Sequence, residues 1–249
     1  MVRRRRRSRP GTVAGGAAET RRGERVGAAY DQLRELIVWG RLAPGTRIIE
    51  TDIATRLGVS RTPVRAALQR LQQEGFIVGA DNGQQAKLSV SPLTLRDARE
   101  LFMISSEVEG LAARFAAEEL SESTRAELAT RLREINADLL RLVQQPDPDT
   151  HLVFDMDRTF HGAFFEAGAG PRLRALHGSV KPQAERYVRL YVTALIDNFN
   201  ESLRDHETIA AAIEAGEAQR VKDAVLDHWH SALSRLAHLI ERLGERGIW

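Results

Sequence analysis

The chain has 249 residues, with 36 Lys and Arg against 34 Asp and Glu and a formal charge of +2. Hydrophobic residues make up 43% and charged residues 28%, which excludes a wholly disordered chain and suits one large or two ordinary domains. The absence of cysteine excludes disulfide frameworks, cysteine-ligated metal sites and thiol catalysis. No apolar run reaches the roughly 18 residues that a membrane helix needs. We therefore expect a helix-rich, cytoplasmic protein with no membrane partner.

Charge is distributed unevenly along the chain. Residues 1–25 carry nine arginines and two glutamates, whereas residues 93–249 carry 19 basic and 26 acidic side chains. The arginine-rich start predicts a disordered basic tail over residues 1–25, and no apolar segment follows it as a secretory signal requires. Three interpretations of this tail are open. It is a solvated extension, the product of a misplaced start codon, or an arm that follows DNA phosphates or enters a minor groove.

The segment 26–92 predicts a DNA-binding domain of three helices and a hairpin. Helical apolar spacing, glycine stops and an N-capping serine mark the helices, and short apolar runs around a turn mark the strands. Two helices joined by a tight turn and followed by a hairpin are the pattern of a winged helix-turn-helix. The predicted helices cover residues 26–39, 50–57 and 60–74, and the predicted strands cover residues 76–78 and 87–90.

The first turn and a half of the third predicted helix is the candidate DNA-reading surface. Arginine can pair with guanine through two hydrogen bonds, Ser and Thr can bond bases or phosphates, and a helix N-terminus favours a phosphate. The same side chains also fit an ordinary solvated helix face, and the pattern alone leaves both interpretations open. The candidates are Ser60, Arg61, Thr62 and Arg65.

This segment is similar to the DNA-binding domain of GntR-family transcription regulators. Three runs carry the resemblance: LAPGTRIIE from Leu42, IATRLGVSRTPVRAAL from Ile53 and RLQQEGF from Arg70. The resemblance implies a winged helix that binds a palindromic double-stranded DNA operator as a homodimer. It also implies base contacts from Arg61 and Arg65, DNA-backbone contacts from Arg47, Ser60 and Thr62, and a wing tip at Gly83.

Beyond Pro92 the pattern is almost entirely helical, so we expect an all-α bundle over residues 93–249. Proline and glycine mark the breaks between helices, because neither residue favours a helix interior. The predicted helices cover residues 94–119, 121–144, 149–167, 171–177, 179–195, 197–215 and 217–243.

All seven histidines lie after residue 150. Asp157 and His161 are four residues apart and share one helical face, while His206 and His228 fall on apolar stripes of later helices. A carboxylate and three imidazoles inside one bundle are costly unless they are paired. A divalent transition metal would satisfy all four: Zn²⁺ suits this donor set best, and Ni²⁺, Mn²⁺ and Fe²⁺ also fit. Hydrogen-bonded core histidines are the alternative interpretation.

The second half resembles the FCD effector domain of the FadR-like branch of the GntR family. The resemblance rests on Asp157-Arg158-Thr159-Phe160-His161, Asp205-His206, Gly216-Glu217-Ala218 and His228. It implies an all-helical bundle in which one Asp and three His hold a metal that helps to bind a small carboxylate effector.

One departure from this family bears on the effector. Ser105 stands where relatives often carry an arginine. Either the effector is less anionic here, or its charge is met by the metal and another cation. Arg186 and Arg189 are the candidates for that cation, and a role as surface arginines is the alternative for both.

The two halves together predict a ligand-responsive transcription regulator, most often a repressor that its effector releases from DNA. A metal-dependent enzyme on a helical bundle is the alternative. The sequence lacks the His-Glu-x-x-His pair, the Gly-x-Ser-x-Gly turn and the phosphate-binding glycine loop that would support catalysis. An enzymatic function would also leave the predicted winged helix-turn-helix of residues 26–92 unexplained. We therefore expect a protein that is not an enzyme.

Overall fold

The computed structural model describes residues 14–79, 87–195 and 199–247. Within these ranges the chain forms nine α-helices and three short strands, which confirms the mainly α fold class. The chain divides into two compact units: residues 1–35 with 47–89, and residues 36–46 with 90–249. In the described ranges, none of the helices combines the length and the apolar character needed to span a bilayer.

The first unit contains a small sheet and the helix pair predicted for DNA binding. Strand β1 pairs antiparallel with β3, with Arg47 opposite Ser89 and Ile48 opposite Leu88, and the strand order is β1-β3-β2. Strand β1 was not predicted, because two residues are too few to show an alternating pattern. The bounds are α1 Ala14–Val38, β1 Arg47–Ile48, α2 Glu50–Leu57, α3 Arg61–Gln73, β2 Ile77–Val78 and β3 Leu88–Val90.

The turn between α2 and α3 depends on Gly58. Its φ of 65° lies in the left-handed region, which glycine adopts without a steric penalty. Its N–H donates to the carbonyl of Thr55 at 3.2 Å and closes α2. Helix α3 then buries an apolar face that includes Val64 and Leu68. The opposite face of its first turn is left exposed.

One expectation about the first unit needs correction. Helix α1 begins at Ala14, so residues 14–25 are helical where we expected a disordered tail. Alanine, glutamate and arginine in this stretch have high helix propensity, and extending an existing helix avoids a new nucleation step. By compactness, residues 36–46 group with the second unit.

The second unit is a helical bundle around α4, which contacts α6, α7, α8 and α9. Close packing is possible because α4 buries small side chains, including Ala112 and Ala116. A Cβ at Gly168, the last residue of α6, would collide with the backbone of these two residues. The bounds are α4 Leu95–Glu119, α5 Glu122–Val143, α6 Thr150–Gly168, α7 Pro171–Leu195, α8 Phe199–Glu214 and α9 Ala218–Leu243.

Helix α7 is continuous where we expected two helices separated at Gly178. Pro182 lies inside it and lacks an N–H, so the carbonyl of Gly178 has no i+4 donor there. Packing of α7 against α4, α6 and α9 compensates for that loss. As a result, His177 and Lys181 are four residues apart on one face of a single helix.

Asp149 caps the N-terminus of α6, since its carboxylate accepts from the backbone N–H groups of His151 and Leu152 at 2.9 and 3.1 Å. We expect Asp149→Ala to lower the free energy of unfolding by about 0.5–2 kcal/mol, measured by urea denaturation followed by circular dichroism. The control is Asp147→Ala, an exposed residue outside the helix, with an expected change below about 0.5 kcal/mol. Equal losses in the two variants would contradict the capping role.

Candidate functional site

Three buried histidines from three helices meet in the second unit. His161 on α6, His206 on α8 and His228 on α9 place potential ligand atoms within 4.8 Å of one another. Asp157 lies one turn before His161, and its Oδ1 is 3.6 Å from Nε2 of His206. The structure therefore brings together the four residues that we selected as metal ligands.

Each imidazole is oriented by a hydrogen-bonding partner at Nδ1. These pairs are His161 with Glu109 at 2.7 Å, His206 with Asn136 at 3.1 Å and His228 with Asp205 at 3.3 Å. Such outer contacts fix the ring and leave Nε2 available as a ligand. Nε2 of His206 is buried and has no hydrogen-bond partner. An orphaned acceptor beside two other imidazoles suits a metal ion, which would pair with it.

Burial lowers the pKa of His161, although Glu109 beside it acts in the opposite direction. Burial also lowers the pKa of His206 well below its ordinary value, and the neighbouring His228 and His161 add to this effect. His161 and His206 are therefore neutral near pH 7, and the neutral ring is the form that binds a metal. The protonation state of the histidines and the geometry of the cluster therefore both suit a bound metal ion.

Glu109 on α4 is a second centre of the same site and is fully buried. Its Oε2 accepts from Trp229 Nε1 at 2.9 Å and contacts His161, and its Oε1 contacts His177 Nε2 at 3.0 Å and Lys181 Nζ at 2.7 Å. Burial alone would raise the pKa of this carboxyl. Lys181 and the two histidines outweigh burial and hold the pKa well below its usual range. Glu109 is therefore an ionised carboxylate that orients a candidate metal ligand.

A cavity opens beside the histidines. Aromatic side chains line part of it, among them Phe154 and Trp229. Its charged lining residues are the basic Arg158, Lys181 and Arg235 and the acidic Asp157 and Glu185. If Asp157 ligates a metal, the remaining charge of the lining is positive and favours an anionic ligand.

The structure does not bring the three predicted effector residues to this cavity. Ser105 is buried on α4, and its hydroxyl has no hydrogen-bond partner. Arg186 and Arg189 line a different pocket of the same unit, beside Trp39. Lys181 lines the histidine cavity instead, and sequence reasoning missed it. The i, i+4 spacing between His177 and Lys181 would have placed both side chains on one helical face. The sequence prediction lost this signal because it divided α7 into two helices at Gly178.

The other candidate site lies at the start of α3 in the first unit. Arg61 and Arg65 are largely exposed, and both pair with Glu50: Arg65 through two hydrogen bonds of 2.8 and 2.9 Å, and Arg61 through one of 3.3 Å. The hydrogen bond from Arg65 lowers the pKa of Glu50, which outweighs the effect of its partial burial. Glu50 therefore holds the two guanidinium groups next to each other at the surface.

The remaining predicted DNA contacts are also exposed where the structure describes them. Ser60 occupies the N-cap position of α3 but makes no side-chain capping bond, so its hydroxyl is available. Thr62 and Arg47 are exposed as well. Gly83, the predicted wing tip, lies outside the described residues.

Two family models match the chain, each over one of the predicted halves. The model described as "Bacterial regulatory proteins, gntR family" matches residues 25–83, and the model described as "FCD domain" matches residues 100–231. Both agree with the resemblance inferred from the sequence and confirm it.

Similar proteins are transcription regulators. The chain is 28% identical over 214 residues to the uncharacterized HTH-type transcriptional regulator YdhC of Bacillus subtilis (strain 168), covering 85% of this chain and 91% of that protein. It is 26% identical over 213 residues to the probable D-xylose utilization operon transcriptional repressor of Paenarthrobacter nicotinovorans, covering 83% and 88%. The solved structure of E. coli McbR/YncC shares the fold, with a TM-score of 0.67, 22% identity and coverage of 86% and 98%. The chain therefore belongs to the GntR family of bacterial regulatory proteins and carries an FCD domain, which makes it a DNA-binding transcription regulator with an effector-binding domain and not an enzyme.

Proposed function

We propose that this regulator is a repressor that binds a palindromic operator as a homodimer and releases it when a small carboxylate binds next to a metal ion. The observation that carries the proposal is the group of three buried imidazoles with an unpartnered Nε2 on His206. The repressor direction is supported by the relative from Paenarthrobacter nicotinovorans, which is described as a probable transcriptional repressor. A palindromic operator would present two equivalent half-sites, which a two-fold symmetric homodimer can contact together.

The metal would be held by Asp157, His161, His206 and His228. This set of three nitrogens and one oxygen suits Zn²⁺ first, and Ni²⁺, Mn²⁺ or Fe²⁺ as well. When bound, the ion would supply a Lewis-acid contact for a carboxylate oxygen. The chain itself supplies the orientation of the ligands, through Glu109 and the other Nδ1 partners.

The effector's charge would be met by cations that already face the cavity. Lys181 reaches Glu109 at 2.7 Å and lies over the ring of Trp229, 4.6 Å from its centroid. Arg235 is mostly buried and donates to Ser202 Oγ at 3.0 Å. Both side chains are therefore positioned before a ligand arrives, which lowers the entropic cost of binding an anion.

A thermal-shift screen tests the effector proposal directly. Purified protein is heated with small mono- and dicarboxylates and with the matching uncharged amides, in the presence of either Zn²⁺ or a chelator. We expect at least one carboxylate to raise Tm with metal, to lose that effect with chelator, and to release operator DNA in a gel shift. Stabilisation that persists unchanged in chelator would contradict a role for the metal in effector binding.

Arg65 gives the sharpest test of DNA reading. Replacing it with alanine removes a candidate two-point contact to a base, so operator affinity should fall by about 1–3 kcal/mol and base preference should relax at one position. An operator obtained by selection from random DNA, followed by titration in gel shifts, measures both effects. The control Arg96→Ala removes the same charge from α4, where the guanidinium is 92% exposed, and should leave base preference unchanged. Wild-type affinity and preference in Arg65→Ala would reject the assignment of α3 as the reading helix.

A further inference from the structure

A second pocket lies in the helical unit, apart from the histidine cavity. It shares none of its described lining residues with that cavity. Its lining consists of residues 37–40, Pro44, Leu93, His151, Arg186 and Arg189. Within these described residues the lining contains two arginines and a histidine but no Asp or Glu, so its charge is positive.

Arg189 is the unusual member of this lining. Its side chain is only 8% exposed, and its guanidinium carbon lies 3.1 Å from the ring centroid of Trp39 and 3.8 Å from that of Phe154. Nη2 contacts Asp155 Oδ1 at 3.2 Å, but Nε and Nη1 are buried without any hydrogen-bond partner. Buried N–H groups of a cation that lack an acceptor carry a large desolvation penalty.

Arg186 adds a second positive charge to the same pocket. It is buried, and it donates to the backbone carbonyl of Ser91 at 2.6 Å and to Gln183 at 3.1 Å. Burial lowers the pKa of Arg186 to about 10 and also lowers the pKa of Arg189, in which Asp155 opposes the effect. Both groups remain cations at neutral pH. Asp155 contacts Arg189 and lies half-exposed, and Asp97 acts electrostatically on Arg186, but neither carboxylate lines the pocket. The pocket thus has excess positive charge in a poorly solvated place.

We propose that this pocket binds a small oxyanion, a carboxylate or a phosphate group, and that the unpartnered N–H groups of Arg189 contact it. An anion there would accept the hydrogen bonds that Nε and Nη1 lack, and it would balance the charge of the two arginines. The rings of Trp39 and Phe154 hold the guanidinium plane in place through cation–π contacts. The site needs neither a metal nor the cluster of His161, His206 and His228.

This site adds a second ligand position to the regulator. Phe154 lines the histidine cavity and also stacks on Arg189. Ligands at the two positions would therefore contact neighbouring side chains, although each position has its own charged groups. The proposal can hold even if the metal-dependent effector site does not exist.

Calorimetric titration of the chelator-treated full-length protein tests the proposal. Sodium phosphate and sodium acetate are titrated separately at constant chloride concentration, so that the two arms distinguish phosphate from carboxylate. We expect saturable binding of at least one of them, with one site per chain. Absence of saturable binding of both anions would overturn the proposal without any need for a variant.

Matched variants locate the bound anion. Arg189→Gln should weaken binding at least about tenfold, which corresponds to about 1.4 kcal/mol, because it removes the charge and most of the unpartnered donors. Arg235→Gln and His206→Ala alter the histidine cavity and its metal site and should leave the affinity unchanged. Loss of binding in these two controls together with wild-type binding in Arg189→Gln would place the anion in the histidine cavity and overturn the proposal.

A second variant covers the case in which Arg189→Gln fails to fold. Val38 lines the pocket and is partly exposed, so Val38→Phe fills the pocket from its rim while Arg189 stays in place. Folding of each variant is checked by circular dichroism. We expect the same weakening of anion binding in Val38→Phe, and wild-type affinity in this variant would contradict the assigned pocket.

Discussion

Replacing His206 with alanine is expected to abolish stable metal binding while the helices stay folded. His206 is fully buried, stacks on Phe160 at 3.8 Å between ring centroids, and contributes the unpartnered Nε2 of the cluster. Loss of an outer partner of a metal ligand costs about 10–100-fold in metal affinity, and loss of the ligand itself should cost more. Metal content is measured by elemental analysis after exhaustive dialysis, and helix content by circular dichroism.

The matched control for this experiment is His238→Ala. His238 is an exposed histidine of α9 whose Nδ1 contacts only the backbone carbonyl of Ser234 in the described structure. This variant should keep the metal content of the wild type. Full metal occupancy in His206→Ala would refute the proposed ligand set, and so would metal-free wild-type protein after reconstitution with Zn²⁺, Ni²⁺ and Mn²⁺.

Glu109→Gln is expected to be strongly destabilising. The variant keeps the shape of the side chain but removes the charge that faces Lys181, His161 and His177, and it turns an amide donor toward other donors. Breaking a buried ion pair by removing one partner costs about 3–5 kcal/mol, so the urea midpoint should fall clearly. Metal affinity should also fall, by about 10–100-fold, because Glu109 orients His161.

The neighbouring Glu107 provides a matched control on the same helix. Its carboxylate is 57% exposed and pairs with Lys222 at 2.9 Å, and exposed ion pairs contribute about 0–1 kcal/mol. Glu107→Gln should therefore unfold at nearly the same urea concentration as the wild type. Similar midpoints for the two variants would show that the Glu109 cluster does not stabilise the bundle.

The acid sensitivity of the wild type follows from the same carboxylate. The pKa of Glu109 in the folded state is well below its ordinary value, so the unfolded chain takes up a proton first as the pH falls. The contribution of Glu109 to stability is present above the unfolded pKa and is lost as the pH falls toward the folded pKa. Glu109→Gln should show a weaker loss of stability than the wild type between about pH 5 and pH 3.

The recognition-helix region could be predicted because its signals are local. Gly58 ends α2, Ser60 starts α3, and the apolar positions of α3 follow one stripe, so the face that carries Arg61 and Arg65 was readable from spacing. The pairing of both arginines with Glu50 was not readable, because it joins residues of different helices. Strand β1 was missed for a similar reason, since its two residues gain their structure only from pairing with β3.

The position of Lys181 in the lining of the histidine cavity could not be predicted, because it depends on how α7 packs. Gly178 and Pro182 both argue locally for a break, whereas the bundle holds the helix continuous and turns His177 and Lys181 toward Glu109. Arg186 and Arg189 lie on the same helix but on another part of its surface, so they line the pocket beside Trp39. A difference of one or two residues in helical phase decides which pocket a side chain enters.

Local sequence patterns were sufficient to identify the family, the two kinds of domain and the helical stripes that carry Asp157, His161, His206 and His228. These features depend on residue order and on the helical repeat, which act over a few turns. The packing of the helices was needed to show that Glu109 is buried among four donors, that Lys181 lines the histidine cavity, and that Arg189 lies between the rings of Trp39 and Phe154. Such contacts join residues far apart in the chain, and the relative position of packed helices sets them, which no local pattern encodes.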